Sequence, residues 1–124
     1  MAFAAGDYGN VRVDAVTSIY DGDTITCTIK GWPSVIGERI PVRVYGIDTP
    51  EMDDKRPDIK AIARQAKQFA VTRIRSAKVI ELRNIQRDKY FRILADVYLD
   101  GASLGDMLLS AGLAKRYGGG AKEW

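Results

Sequence analysis

Three short segments of this chain concentrate polar residues of a kind that could work on a phosphate ester. They are Tyr20-Asp21-Gly22-Asp23-Thr24, Arg43 to Glu51, and Asp88-Lys89-Tyr90-Phe91-Arg92. Asp23 and Asp48 are hard oxygen ligands, suited to Ca²⁺ or Mg²⁺ and poor at selecting zinc. Two carboxylates plus a backbone carbonyl would leave coordination positions for water and substrate. Glu51 follows Asp48 after a stiffening proline, Pro50, and the chain contains no histidine. A carboxylate is therefore the natural candidate to accept a proton from attacking water. Arg43 and Arg92 carry planar forks that can each hold two phosphate oxygens. A cation, a water activator and fixed positive charge make up the inventory of phosphoryl transfer. Singly, each segment has a blander explanation. Asp-Gly-Asp makes a turn, Asp-Thr-Pro-Glu opens a loop or helix, and an arginine on a strand usually faces water.

These residues need elements to position them, and hydrophobic periodicity supplies the expectation. Val11, Val13 and Ala15 alternate with polar neighbours, as do Ile25, Cys27 and Ile29 with Thr24, Thr26 and Thr28, the period of half-buried strands. Asp21-Gly22 between them is a hairpin signal, and Gly31-Trp32-Pro33 ends the second strand. A third strand is expected from about Arg39 to Ile47, with Val42 and Val44 on one face and Arg43 and Tyr45 on the other. After an acidic loop, Ile59, Ile62, Ala63, Ala66, Phe69, Ala70 and Ile74 form one stripe of a helix over about Asp58–Ala77. Lys60, Arg64, Lys67 and Arg75 lie off that stripe as a wet basic face. Two more strands, about Val79–Ile85 and Arg92–Leu99, flank a turn from Gln86 to Tyr90. Ser103-x-x-Asp106 reads as a capping box. Leu104, Met107, Leu108 and Ala111 form the apolar face of the helix it starts, and Gly112 stops it. The segment from Gly118 to Gly120 reads as a flexible tail, and Trp124 either anchors it or lies exposed. Three strands, a helix, two strands and a helix match a five-stranded OB-type barrel, an α+β, mainly β class. Fold alone does not give function.

Composition narrows the field. The 124 residues suffice for one domain, 1–124 with a core of about 9–117, and the balance of 46% hydrophobic and 28% charged residues is globular. The net charge of +3 favours a polyanionic partner, although a solvated basic face explains it equally well. Without histidine there is no histidine base, nucleophile or metal ligand. The single cysteine, Cys27, excludes an intrachain disulfide and a cysteine-cluster zinc site. Its place between Ile25 and Ile29 makes it a small core residue, the alternative being a reactive thiol. No apolar run approaches a membrane span. Ala2-x-Ala4 has the spacing of a signal-peptidase site with no apolar region ahead of it. A trimmed leader, and hence a secreted or periplasmic protein, is one reading; an ordinary N-terminus is the other.

The motifs IYDGDTI (Ile19–Ile25), RVYGIDTPE (Arg43–Glu51), DKYxR (Asp88–Arg92) and GLA (Gly112–Ala114), in this order, resemble the staphylococcal nuclease (thermonuclease) family from about Val11 to Tyr117. The resemblance implies a Ca²⁺-dependent endonuclease that cuts single-stranded DNA and RNA and leaves 3′-phosphates, with no membrane association and a monomeric state. It implies that Asp23, Asp48 and the Thr49 carbonyl bind Ca²⁺, with Asp21 bracing them from behind. It makes Glu51 the general base acting through water, and Arg43 and Arg92 the holders of the scissile phosphate, Arg92 also assisting the leaving group. Lys89 and Tyr90 would contact the terminal phosphate of the nucleotide, and Tyr117 lies near a base-stacking position. Two departures stand out. Phe91 occupies a place that is usually glycine in the family, which bears on the aim of Arg92. A third helix that some members carry is missing or severely shortened.

The competing readings are a non-catalytic OB-fold module that binds single strands by a basic groove and aromatics, and a purely structural protein-interaction domain. A degenerate module should have lost part of the catalytic set, whereas Asp23, Arg43, Asp48, Glu51 and Arg92 are all present.

Overall fold

The computed structural model describes residues 8–87, 92–118 and 124. Expectations for Ala2 to Ala5, for Lys89, Tyr90 and Phe91, and for Gly119 and Gly120 lie outside the described residues. The elements run β1 (Val11–Arg12), β2 (Ala15–Ile19), β3 (Thr24–Thr28), α1 (Ser34–Gly37), β4 (Ile40–Val44), β5 (Ile47–Asp48), α2 (Pro57–Ser76), β6 (Ile80–Arg87), β7 (Ile93–Leu99), β8 (Ala102–Ser103), α3 (Leu104–Ser110) and β9 (Lys115–Arg116).

The main sheet has the order β1-β6-β7-β4-β3-β2, with β8 paired to β7. Neighbours are antiparallel except β4 and β7, which run parallel with Arg43 opposite Leu94. The two edges of this sheet, β1 and β2, are consecutive in the chain. The partner changes between adjacent residues: the Val13 amide donates to the Ile80 carbonyl at 2.8 Å and the Asp14 amide to the Thr28 carbonyl at 2.9 Å. The sheet thereby curls back on itself as an OB-type barrel with a helix between its third and fourth long strands. This break corrects the single first strand expected from the alternation of Val11, Val13 and Ala15. A strand that must pair on both sides turns as it changes partner, and Ala15 ends up exposed while Val13 is buried.

Inward-facing Ile25, Cys27, Ile29, Val42, Val44, Ala95 and Val97 fill the barrel. Cys27 is fully buried, and burial alone pushes its thiol up to about 12, so it is the core residue that its alternation suggested. Helix α2 starts with Pro57 at its first turn and buries Ala63, Ala66, Ala70 and Ile74, while Arg64 and Arg75 stay in water. Ser103 caps α3 by accepting the Asp106 amide at 3.2 Å, and Gly112 leaves the helix with φ 73°. Ala111, expected on the apolar face of α3, is its exposed C-cap instead.

Two differences from the expected elements stand out. The third strand does not run through to Ile47. It ends at Val44, turns at Tyr45-Gly46, and resumes as β5, which pairs with β9 in a separate two-stranded ladder. A short helix, α1, follows Pro33, so the described residues contain three helices rather than two. As the hydropathy pattern suggested, no helix among the described residues is long and apolar enough to cross a membrane.

Candidate active site

Every buried polar side chain among the described residues lies in one cluster: Asp21, Asp23, Asp48 and Thr49, each at most 5% exposed. The hairpin between β2 and β3 brings the first two, and the turn after β4 brings the others. Asp21 accepts the Asp23 amide at 3.1 Å, which braces the hairpin. The Val44 amide donates to the Asp23 carbonyl at 2.8 Å, and the Thr49 amide to Asp23 Oδ2 at 3.0 Å, so the two loops are stitched together.

Arg43 closes the cluster. One guanidinium nitrogen donates to the main-chain oxygens of Ile47 at 3.0 Å and Val44 at 3.3 Å. The other lies 3.2 Å from Asp48 Oδ1 and 3.4 Å from Asp23 Oδ2. The turn at Tyr45-Gly46 makes this possible, because a straight strand would carry the Ile47 carbonyl and Asp48 away from Arg43. The Tyr117 ring lies against the same guanidinium, 5.2 Å from centroid to Cζ, and its amide donates to the Gly46 carbonyl at 2.9 Å.

Burial first, then the Asp23 carboxylate and more weakly Glu51, push the Asp21 carboxyl up to about 7. Thr49 Oγ1 is buried without a hydrogen-bond partner. A hard cation with oxygen ligands suits this donor set. Among the described residues no group of three or more His, Cys, Asp or Glu side chains is arranged to hold a metal ion.

The remaining expected residues stand around this cluster. Glu51 is exposed on the loop after Pro50, near enough for its charge to act on Asp21. Arg92 is exposed just before β7; the parallel register of β4 and β7 sets it two residues behind the level of Arg43. The structure thus brings Asp21, Asp23, Arg43, Asp48, Thr49 and Tyr117 into one contact network, with Glu51 at its edge and Arg92 just ahead of the neighbouring strand β7. Sequence reasoning missed the carbonyls of Val44 and Ile47, which no residue type announces. It also left Trp124 undecided: the indole N–H donates to the Asp48 carbonyl at 3.0 Å.

The molecule is thus an OB-type barrel carrying an acid–arginine cluster at one end, and comparison with known proteins gives its family. Residues 41–123 match the family described as Staphylococcal nuclease homologue, and the chain belongs to that family. The matched span includes Arg43, Asp48, Thr49, Glu51 and Arg92; Asp23 precedes it and joins the site through its contacts. The chain is 36% identical over 97 residues to the SPbeta prophage-derived endonuclease YokF of Bacillus subtilis (strain 168), covering 77% of this chain and 31% of that protein. It is 34% identical over 108 residues to endonuclease YncB of the same organism, covering 86% and 47%. It is 28% identical over 107 residues to the thermonuclease of Staphylococcus hyicus, covering 86% and 60%. The chain therefore spans between 31% and 60% of the length of these relatives.

Proposed function

We propose that this chain is a Ca²⁺-dependent endonuclease that hydrolyses phosphodiester bonds in single-stranded DNA and RNA and leaves 3′-phosphate products. The observation that carries this reading is that all the buried polar side chains described gather with Arg43 at one end of the barrel. Protein interiors do not collect carboxylates without a reason, because each is costly to desolvate. The endonuclease and thermonuclease names of the relatives support the same reaction class.

Asp23, Asp48 and the Thr49 carbonyl would hold the cation, and Asp21 keeps the hairpin in place behind them. When bound, Ca²⁺ supplies Lewis-acid stabilisation of the phosphate and of the attacking water. Glu51 takes a proton from that water as its oxygen adds to phosphorus. The P–O5′ bond breaks, the departing oxygen takes a proton from solvent to become a 5′-hydroxyl, and the phosphate stays on the 3′ side. Arg43, anchored by one nitrogen on two main-chain carbonyls, would meet the phosphate with the nitrogen that lies at the Asp23 and Asp48 carboxylates, and Arg92 would face the leaving side. Lys89 and Tyr90 bind the terminal phosphate, Tyr117 receives a base, and the enzyme acts as a monomer.

The deciding experiment incubates labelled single-stranded DNA with the protein, with and without Ca²⁺. Cleavage with Ca²⁺ and none in excess EGTA and EDTA is expected; undiminished cleavage in the chelators sinks the cation requirement. Glu51→Gln should cut at least about 10²-fold more slowly with little change in substrate affinity, the scale of a lost general base. A variant that cuts as fast as the parent assigns the base elsewhere. Tight binding of the oligonucleotide with no cleavage under any condition would move the chain to the non-catalytic binding module.

A further inference from the structure

The loop that carries Glu51 leaves β5 at Asp48 and enters α2 at Pro57, and a single residue distant in sequence touches both of its ends. The Trp124 indole N–H donates to the Asp48 carbonyl at 3.0 Å. The main-chain oxygen of Trp124 accepts from Arg56 at 2.8 Å. Arg56 is itself fixed by Asp54, whose carboxylate accepts two of its guanidinium bonds at 3.0 and 2.8 Å. The Lys115 ammonium lies 4.5 Å from the Trp124 ring centroid, and Lys115 is the ladder partner of Asp48. The indole is half-buried in this arrangement.

We infer that Trp124 is a positioning residue: by bridging Asp48 and Arg56 it holds the loop from Thr49 to Lys55, and with it Glu51 and the Asp48–Thr49 ligand segment, in one geometry. The inference rests on the proposed nuclease reading for its catalytic consequence. The physical argument is that the β5–β9 ladder is only two residues long. Beyond those two pairs the segment is held by the Thr49 amide on Asp23 and by Arg43, and the Trp124 indole adds a restraint on the outer side of the Asp48–Thr49 peptide. A donor on the Asp48 carbonyl fixes the peptide plane between Asp48 and Thr49, and so the direction in which the ligand segment points. Residues standing behind metal ligands in this way commonly set affinity by 10- to 100-fold.

The test compares the parent, Trp124→Phe and Trp124→Ala. Phenylalanine keeps an aromatic ring for Lys115 and removes only the N–H donor, so it guards against simple loss of folding in the alanine variant. Four quantities are read: Ca²⁺ affinity by calorimetry, kcat and KM on a single-stranded oligonucleotide, the melting temperature, and amide hydrogen exchange across residues 48–56 without metal. Trp124→Phe is expected to weaken Ca²⁺ binding and lower kcat by about 10-fold each. KM should change less than about twofold and exchange across the loop should become faster. A merely structural role would lower the melting temperature and leave kcat and Ca²⁺ affinity of the folded fraction intact; that result overturns the inference. So does a Trp124→Phe variant that matches an active, Ca²⁺-binding parent in all four. A parent that neither binds Ca²⁺ nor cuts overturns the nuclease reading itself, and the positioning role with it.

Discussion

Arg43 shows why a charge at this site is not interchangeable with another of the same sign. Its guanidinium reaches the Val44 and Ile47 carbonyls with one nitrogen and the Asp23 and Asp48 carboxylates with the other. A lysine ammonium is a single point on a flexible stem and cannot span those four acceptors. We expect Arg43→Lys and Arg92→Lys each to lose about 10²-fold or more in cleavage rate, the scale of removing one fixed transition-state donor. The double variant should lose less than the product of the two, because both arginines support one charge distribution. Single-turnover kinetics on an oligonucleotide checks this. Full activity in both lysine variants would remove the phosphate clamp and leave the family membership as a statement about fold. Near-silence of Arg92→Lys alone, with a gain from Phe91→Gly, would mean that Phe91 turns Arg92 aside.

At the scale of elements, the hairpin and α2 meet at Gly22. A Cβ there would stand 2.8 Å from Thr49 Cγ2 and 2.9 Å from Ala66 Cβ, so any side chain must push the ligand loop or the helix aside. The Asp21-Gly22 pair is readable as a turn from the sequence alone. That the glycine serves close approach between three elements is not, because Thr49 and Ala66 are remote in the chain. Gly22→Ala is expected to destabilise the fold by about 1–3 kcal/mol, the cost of overpacking, and, on the proposed function, to weaken Ca²⁺ binding as Thr49 shifts. Chemical denaturation followed by the two tryptophans measures the first and calorimetry the second. An alanine variant as stable as the parent would show that the hairpin and α2 are less tightly apposed than the distances imply.

For the whole molecule, the barrel interior is read out by Cys27. Its thiol is fully buried and raised from 9.0 to about 12 by burial. A folded pKa above the unfolded one means that the folded state holds the proton more tightly. This contribution to stability is therefore fully present below pH 9 and is lost as pH climbs toward 12. Relative to Cys27→Ala, the parent should lose stability on going from pH 8 to pH 11, as followed by denaturant midpoints. At pH 8 the thiol should react with an aromatic disulfide reagent only as fast as the barrel opens. Immediate labelling of the folded protein would place Cys27 outside the core.

The strands around Ile25, Cys27 and Ile29, the stripe of α2, the Ser103 cap and the residue types of the candidate site were legible in the sequence, because each depends on periods of two or 3.6 or on neighbours within a few positions. Tertiary structure alone decided the rest. The first strand breaks at Val13-Asp14 because closing a barrel requires one strand to pair at both edges of the sheet. The third strand stops at Val44, and the turn that follows brings the Ile47 carbonyl and Asp48 back onto Arg43. Trp124 settles on the Asp48 carbonyl across 76 residues of sequence. Local pattern encodes which face of an element is apolar; it carries no information about which distant backbone oxygen a buried donor will find. That choice belongs to the packed barrel, where a polar group withdrawn from water must meet a partner.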